Sequence, residues 1–502
     1  MPYYPALVSP VNGERICCIV YGAARVTQSD IVLVQELRRR GFAVWVLLKD
    51  DPPHSSLATR IRLRIERLFF APLPTLDVRT LPADRWLTDA PELPPSSLVI
   101  DFSAHPAADA LSVALDGRVE TLHMASIDAG KDRNYDLTIL RGSRVVQRSE
   151  IVSNHAWRLL DQAAASKRAV ALLLRAIDHP ASEEAASGDR AASGIVASLT
   201  ATAGAVGSGI LRRATRRWSR PDAWFLAYWT DRAAEPRYLF GGRERFLADP
   251  CAVRRGNETF VFCEDYPYRT ERGVISVSSL RADGMLSPPI TVLERSYHLS
   301  YPFVFQSEGN WWMVPESSEN RTVDLYRAIE FPFRWELHAT LLDNLTAVDA
   351  TLHYDGRWWM FLNIGDCDSS TWDELSIYLA DELAGPWRPH PRNPVKCSPR
   401  AARPAGALFR DGDALIRPAQ DCSTIYGGGV RFCRIDTLTE NEFAETELEF
   451  VAPSIIPGAT GLHTWTAAGD LHVVDARFPM MPLDPRRFER RLKTERRRAR
   501  MQ

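Results

Sequence analysis

The chain has 502 residues, with 61 basic and 63 acidic side chains and a formal net charge of −2. That length calls for two or three folding units, and the balanced charge excludes a general nucleic-acid binder. Hydrophobic residues at 45% and charged residues at 25% are those of an ordinary globular protein rather than a disordered or fibrous one.

Eight cysteines without CxxC or zinc spacing read as small buried hydrophobes in a reducing cytoplasm. Met1-Pro2-Tyr3-Tyr4-Pro5 is not followed by the basic-then-apolar pattern of a signal peptide, and no stretch has the length of a bilayer-spanning helix. A cytoplasmic location is expected.

Residues 1–178 predict a doubly wound α/β domain. Arg15–Gly22 is a short continuous apolar run of the kind that forms a buried parallel strand. A helix is expected over Gln28–Arg40, strands at Phe42–Leu48 and Leu98–Phe102, and a long alanine-rich helix at Leu159–Ala176. Neither GxGxxG nor GxxxxGK[ST] occurs, so no nucleotide cofactor is predicted. Residues 179–221, rich in Ala, Gly and Ser, read as a linker. Two basic segments, Arg60–Phe70 and the tail Arg486–Arg500 within residues 481–502, read either as peripheral membrane contacts or as a docked helix and a solvated tail.

Residues 222–480 change character to short aromatic strands separated by Gly, Asp and Pro turns. Gly256, Gly309, Gly356, Gly412 and Gly469 lie 53, 47, 56 and 57 residues apart, the spacing of four-stranded propeller blades. Each copy opens on a polar or aromatic residue: Asp249, Tyr301, Asp349, Arg403 and His463. Each closes on a polar one: Glu264, Glu316, Asn363, Gln420 and Asp475. A five-bladed β-propeller would gather these positions at one axial funnel.

Cleaving or transferring a glycosyl unit needs a carboxylic acid and a carboxylate, and crowding carboxylates raises the pKa of at least one. Asp249, Glu316 and Asp349 form such a set, with Glu264 in reserve as an acid. Arg403 and Arg417 would lower those pKa values or hold an anionic substrate group. Gln420 and Asp421 are expected at the pocket rim. His463 is either a ligand or acid, or a histidine that closes the last blade. The bland alternative for every one of these positions is a polar residue that bonds exposed backbone. Of the pairs Trp311-Trp312 and Trp358-Trp359, one member each should be core between blades. Asp366, Asp368 and Asp373 lack the Gly and Glu of a calcium loop, so no metal is predicted.

These motifs carry resemblances. The order of elements before residue 178 and the stretch Leu122–Asp128 resemble the formyltransferase fold, with only His123 and Asp128 matching that family's Asn, His and Asp. This implies a degenerate copy. Ala248-Asp249-Pro250 resembles the first-blade motif of five-bladed glycoside hydrolases such as family 43. That resemblance implies Asp249 as base and Asp349 as the group tuning the acid, while Arg403-Pro404-Ala405-Gly406 departs from the family's acid position and leaves Glu316 as the substitute. Residues from about 224 to 478 resemble the N-terminal propeller of glucosamine inositolphosphorylceramide transferases and their bacterial homologues, through Tyr301-Pro302-Phe303, Pro315-Glu316-Ser317, Arg403-Pro404-Ala405-Gly406 and Arg417-Pro418-Ala419-Gln420-Asp421.

The resemblance implies a sugar or glycan substrate in cell-surface polysaccharide or glycolipid metabolism. Three functions follow as alternatives: chemistry on a glycosidic linkage in the propeller, a glycan-binding scaffold without catalysis, or formyl or acyl transfer to an amino sugar by the front domain.

Overall fold

A computed structural model of the chain describes residues 15–21, 25–49, 76–87, 97–103, 105–116, 118–120, 134–152, 158–178, 184–185, 219–220, 224–230, 235–365, 369–478 and 481–482. The contacts divide into two compact units, 1–205 and 206–502. His123, Asp128, both basic segments, Asp366 and Asp368 lie outside the described residues, as does most of the 179–221 linker.

In the first unit the continuous apolar run Arg15–Tyr21 is a buried strand, paired in parallel with Phe42–Leu48 on one side and Leu98–Phe102 on the other. Helices cover Gln28–Arg39 and Arg158–Asp178. Leu111–Leu115 continues the parallel run, and beyond it the sheet changes sense: Asn134–Arg141 and Arg144–Val152 pair antiparallel. The two helices pack against each other, which puts both on one face. A doubly wound arrangement, with helices over both faces, is therefore not supported among the described residues, and neither is a formyltransferase-like domain.

The second unit is a five-bladed β-propeller. Blades 1 to 4 start at the inner strands Arg245–Arg255, Ser300–Ser307, Ala347–Tyr354 and Phe409–Asp411, each followed outward by three further strands, with the short Lys396–Cys397 added in blade 3. Blade 5 is built from both ends of the unit. Its inner strand Trp465–Ala468 pairs with Leu471–Arg477, which pairs in turn with Trp224–Trp229 from before the first repeat, and Arg237–Leu239 lies outermost. The ring is closed by hydrogen bonds between segments more than two hundred residues apart.

Strand alternation explains the core. Successive side chains face opposite sides of a blade, so Phe225 joins the cluster between blades 4 and 5 while Leu226 joins that between blades 5 and 1. The paired tryptophans divide in the same way. Trp311 packs between blades 1 and 2 and Trp312 between blades 2 and 3; Trp358 joins that second interface and Trp359 the one between blades 3 and 4. Both members of each pair are core, which leaves neither pair for stacking on a sugar. The described cysteines are all free thiols, five of them buried.

The five repeat glycines have φ between 57° and 74°, the left-handed region that L side chains enter at a cost of roughly 1–2 kcal/mol. At Gly309 an added methyl would meet nothing within 4 Å, so the turn itself demands glycine there. At Gly406, with φ of 141°, it would stand 2.1 Å from the Trp465 backbone oxygen of the next blade. We predict that Gly309→Ala lowers stability by about 1–2 kcal/mol, read as the urea midpoint of tryptophan fluorescence. Gly406→Ala should lower it further, because the inner strand of blade 5 must move.

Candidate functional site

The inner strands of blades 1, 2 and 3 break register at one place each, between Ala248 and Cys251, Ser300 and Phe303, and Val348 and Thr351. At each bulge sits a non-glycine residue with positive φ: Asp249 at 50°, Tyr301 at 40° and Asp349 at 54°. A bulge re-aims the side chain: Asp249 enters the pocket, Tyr301 turns to Thr351 and Asp349 meets Arg403. The strain, of order 1–3 kcal/mol per residue, is offset by the hydrogen bonds made there.

Those bonds run around the axis. Asp475 of blade 5, fully buried, accepts four donors: the Asp249 amide at 3.0 Å, the His463 and Thr464 amides at 2.9 Å each, and His463 Nδ1 at 2.5 Å. Asp249 in turn accepts from the Tyr301 amide at 3.2 Å and the Thr464 hydroxyl at 3.3 Å. The Tyr301 hydroxyl bonds Thr351 Oγ1 at 2.8 Å. Arg403 of blade 4 grips Asp349 of blade 3 with Nε at 2.5 Å and a second nitrogen at 3.2 Å, and Gln420 adds a bond at 3.0 Å. The Trp465 amide to the Ala405 carbonyl, at 2.8 Å, links blade 4 to blade 5.

At one end of this ring opens a pocket of about 500 Å³. Blade 1 supplies Phe246, Asp249, Glu264, Tyr266 and Tyr268; blade 2 supplies His298, Ser300 and Glu316; blade 4 supplies Arg403 and Tyr426; blade 5 supplies Trp224 and His463. Trp224 stacks on His463 with ring centroids 4.0 Å apart, and Phe246 stacks on Tyr266 at 4.7 Å. Among the expected site residues, Asp249, Glu264, Glu316, Arg403 and His463 line this space. Asp349 does not; it lies beneath Arg403, beside the pocket residue Glu316.

Four expected substrate contacts are placed elsewhere. Arg417 is fully buried within blade 4, bonded to Glu445 at 2.7 and 2.9 Å and to the Ala401 carbonyl. Asp421 is taken by Arg431 and Ser423, Gln420 by Asp349 and the Pro404 carbonyl, and Tyr301 by Thr351. Gln420 and Tyr301 are thereby turned to blade 3, while Arg417 and Asp421 are held by partners of their own blade. The expectation that arginines hold an anionic substrate loses its footing. Arg417 is absent from the pocket, and Arg403 is bound to Asp349 with Glu316 3.9 Å away.

Burial shapes the proton states. It pushes the Asp249 carboxyl up to about 6, with His463 pulling down and Asp349 and Asp475 pushing further up. Glu264 is driven well above the usual carboxylate range by burial and then by Asp249, Glu316 and Asp475. Asp349 is also raised by burial, against the pull of Arg403. Burial works against the Arg403 guanidinium, but Asp349, Tyr426 and Glu316 hold it well above its usual value. For this pair the bidentate contact decides, and we read Asp349 as carboxylate and Arg403 as cation. Burial likewise works against His463, yet Asp475 and Asp249 raise it. His298 is lowered by burial; its Nδ1 accepts the Gly273 amide at 2.9 Å, which leaves the proton on Nε2, 3.4 Å from Glu264.

Asp249, His463 and Asp475 present ligand atoms within 4.8 Å of one another. The four donors on Asp475 already use its lone pairs, so the trio reads as a hydrogen-bonded latch. Sequence reasoning missed Tyr266 and Tyr268, although the spacing of Tyr266 from Glu264 places both on one face of a strand that Tyr268 directly follows. Trp224 was legible only through the unpredicted closing strand, and Tyr426 belongs to an irregular loop without periodicity.

We predict that Asp475→Asn lowers the pKa of His463, followed by proton NMR titration, and destabilises the fold by about 3–5 kcal/mol, the usual effect of breaking a buried pair. A raised histidine stabilises the fold fully below its unfolded value of 6.5 and stops doing so as pH rises through the folded one. The deficit of the variant should therefore be largest on the acid side.

The propeller also has sequence relatives. The glucosamine inositolphosphorylceramide transferase 1 of Oryza sativa subsp. japonica is 33% identical over 237 residues, covering 46% of this chain and 32% of the relative. That of Arabidopsis thaliana is 31% identical over 234 residues, 45% of this chain and 30% of the relative. The chain thus spans about a third of the length of the curated relatives it matches. Solved structures similar to it include a family 117 glycoside hydrolase from Zobellia galactanivorans, at 13% identity and a TM-score of 0.36 over 52% of this chain and 91% of that one. Another is a native arabinanase of Bacillus subtilis, at 12% identity and a TM-score of 0.33 over 48% and 97%. The resemblance read from the repeat motifs is borne out over residues 236–478, which match the family model of the N-terminal domain of glucosamine inositolphosphorylceramide transferase 1.

Proposed function

We propose that the propeller is a carbohydrate-active module of cell-surface polysaccharide or glycolipid metabolism whose pocket acts on a glycosidic linkage. The relatives are named for a transferase of glucosamine inositolphosphorylceramide, and their likeness to this chain supports a carbohydrate-linked role for the domain they share. The observation that carries the chemistry is the pairing of two buried carboxyl groups in one aromatic-walled space. Burial and the neighbouring carboxyl groups push Glu264 well above the usual range, toward its protonated form, while Asp249 is raised to about 6.

In this reading Glu264 donates its proton to the leaving oxygen. Asp249, held by His463 and the Thr464 hydroxyl, supplies the carboxylate. The acid role thus moves from Glu316, whose Oε1 accepts the Ser318 hydroxyl at 2.7 Å, to Glu264. Asp349 acts through Arg403, placing a fixed positive charge beside the carboxylates.

A second reading has its own support. Asp249 already accepts two hydrogen bonds from neighbouring blades, as a purely structural residue would, and this favours a glycan-binding scaffold without turnover.

Glycan-array binding followed by turnover of each hit separates the two. Glu264→Gln should keep binding and lose about 10²–10⁴-fold in rate, the usual worth of general acid help. The wild-type rate should rise with pH through about 6 as Asp249 ionises, then fall as Glu264 loses its proton. Binding without turnover by the wild type would establish the scaffold; full turnover by Glu264→Gln would remove the acid assignment.

A further inference from the structure

The short connection from blade 1 to blade 2, between Leu293 and Ser300, carries a pocket residue with no part in the chemistry above, His298. Three contacts pin it. Its backbone amide donates to Glu319 Oε2 of blade 2 at 2.6 Å, and the next amide, of Leu299, donates to the Gly273 carbonyl at 3.1 Å. The Gly273 amide in turn donates to His298 Nδ1 at 2.9 Å. A ring held in this way cannot turn over without losing the Gly273 bond.

Gly273 is what lets that ring reach Glu264. A methyl added there would overlap the Leu299 backbone oxygen and stand 2.7 Å from His298 Cε1 and 3.0 Å from Glu264 Oε1. Over the bare backbone the imidazole lies against the carboxyl group, with Nε2 3.4 Å from Oε1. Because Nδ1 faces an N–H it accepts and carries no proton, so the single ring proton is on Nε2. An imidazolium would set two N–H groups against each other at Gly273. Burial acts in the same direction, lowering the histidine against the pull of Asp249 and Glu319.

We infer that His298 is a positioning residue for Glu264: its Nε2–H is the donor for Oε1 and keeps the carboxyl proton on Oε2. This deepens the reading of Glu264 as the acid and rests on it. A proton on Oε1 would meet the imidazole N–H, whereas a bare Oε1 accepts it. When Oε2 passes its proton to the leaving oxygen, the electron pair of the broken glycosidic bond stays with that oxygen. The negative charge left on Glu264 then meets a donor already in place. Burial and, after it, Asp249, Glu316, Asp475 and Asp265 all oppose ionisation of this carboxyl group; His298 works against them.

NMR of the full chain with isotope-labelled histidine tests this without a substrate, the His298 signals being identified by their loss in His298→Gln. The wild-type ring should be neutral at neutral pH, with its proton on Nε2. That nitrogen should shift once more on the alkaline side, as Glu264 ionises, and Glu264→Gln should abolish this second step. The labelled carboxyl carbon of Glu264 should titrate about one pH unit higher in His298→Leu, the worth of a weak hydrogen bond to a charged group. His298→Gln, whose amide nitrogen reaches the place of Nε2, should restore the wild-type midpoint.

A proton on Nδ1, or a Glu264 midpoint that His298→Leu leaves unchanged, overturns the inference. On any glycan that is turned over, His298→Leu should lower kcat about tenfold with KM unchanged, and His298→Gln should recover it; equal kcat in all three also overturns the inference. If the wild type shows the expected NMR behaviour but turns over no glycan, the pairing stands and the acid reading of Glu264 falls.

Discussion

One carboxylate holds the ring together. Asp475 ends the last repeat, and its oxygens capture the amides that open the first and last inner strands, Asp249 on one side and His463 with Thr464 on the other. A propeller is a closed ring of sheets, each needing a neighbour on both faces, and its weakest joint is the one that chain connectivity does not supply. Here that joint is made twice: by the strand Trp224–Trp229 pairing with Leu471–Arg477, and by Asp475 at the axis. Everything placed around the pocket depends on this second closure, because it fixes both the bulge that carries Asp249 and the tautomer of His463.

The relay that starts there also explains why the site can be acidic without flying apart. Each buried carboxylate is tied to a donor on the next blade: Asp475 to blade 1, Asp249 to blade 2, Asp349 to blade 4. The charges are thus spent as inter-blade fasteners, and a buried hydrogen-bonded charge is worth more than an exposed one but is costly if left alone. Glu264 is the exception. It belongs to the second strand of blade 1, one step away from the relay, and takes no part in fastening blades.

How much of this was legible beforehand can be seen residue by residue. The blade count followed from glycine spacing, because a left-handed turn admits few other residues and recurs once per blade. The identity of the axial positions followed as well, since Asp249, Tyr301, Asp349, Arg403 and His463 open equivalent inner strands. What could not be read was the direction in which each side chain leaves its bulge. Asp249 enters the pocket, Tyr301 turns to Thr351, and Asp349 is covered by Arg403, although all three occupy the same place in their repeats. Arg417 failed for a simpler reason: it lies within a second strand, where a shift of one residue exchanges the axis for the interface between blades.

The amino-acid sequence by itself determined the propeller, its five repeats and the set of polar residues that meet near its axis, because turn glycines and strand alternation are local properties carried by neighbouring residues. Only the tertiary structure decided which of those residues face open space, which are spent as fasteners, and that the arginines are already neutralised. Those outcomes depend on what a side chain meets across a blade interface, and the partners come from repeats fifty to two hundred residues distant. Proton states follow the same rule. A carboxyl group such as Glu264 is displaced from its ordinary range by burial and by neighbours that become neighbours only when the ring closes.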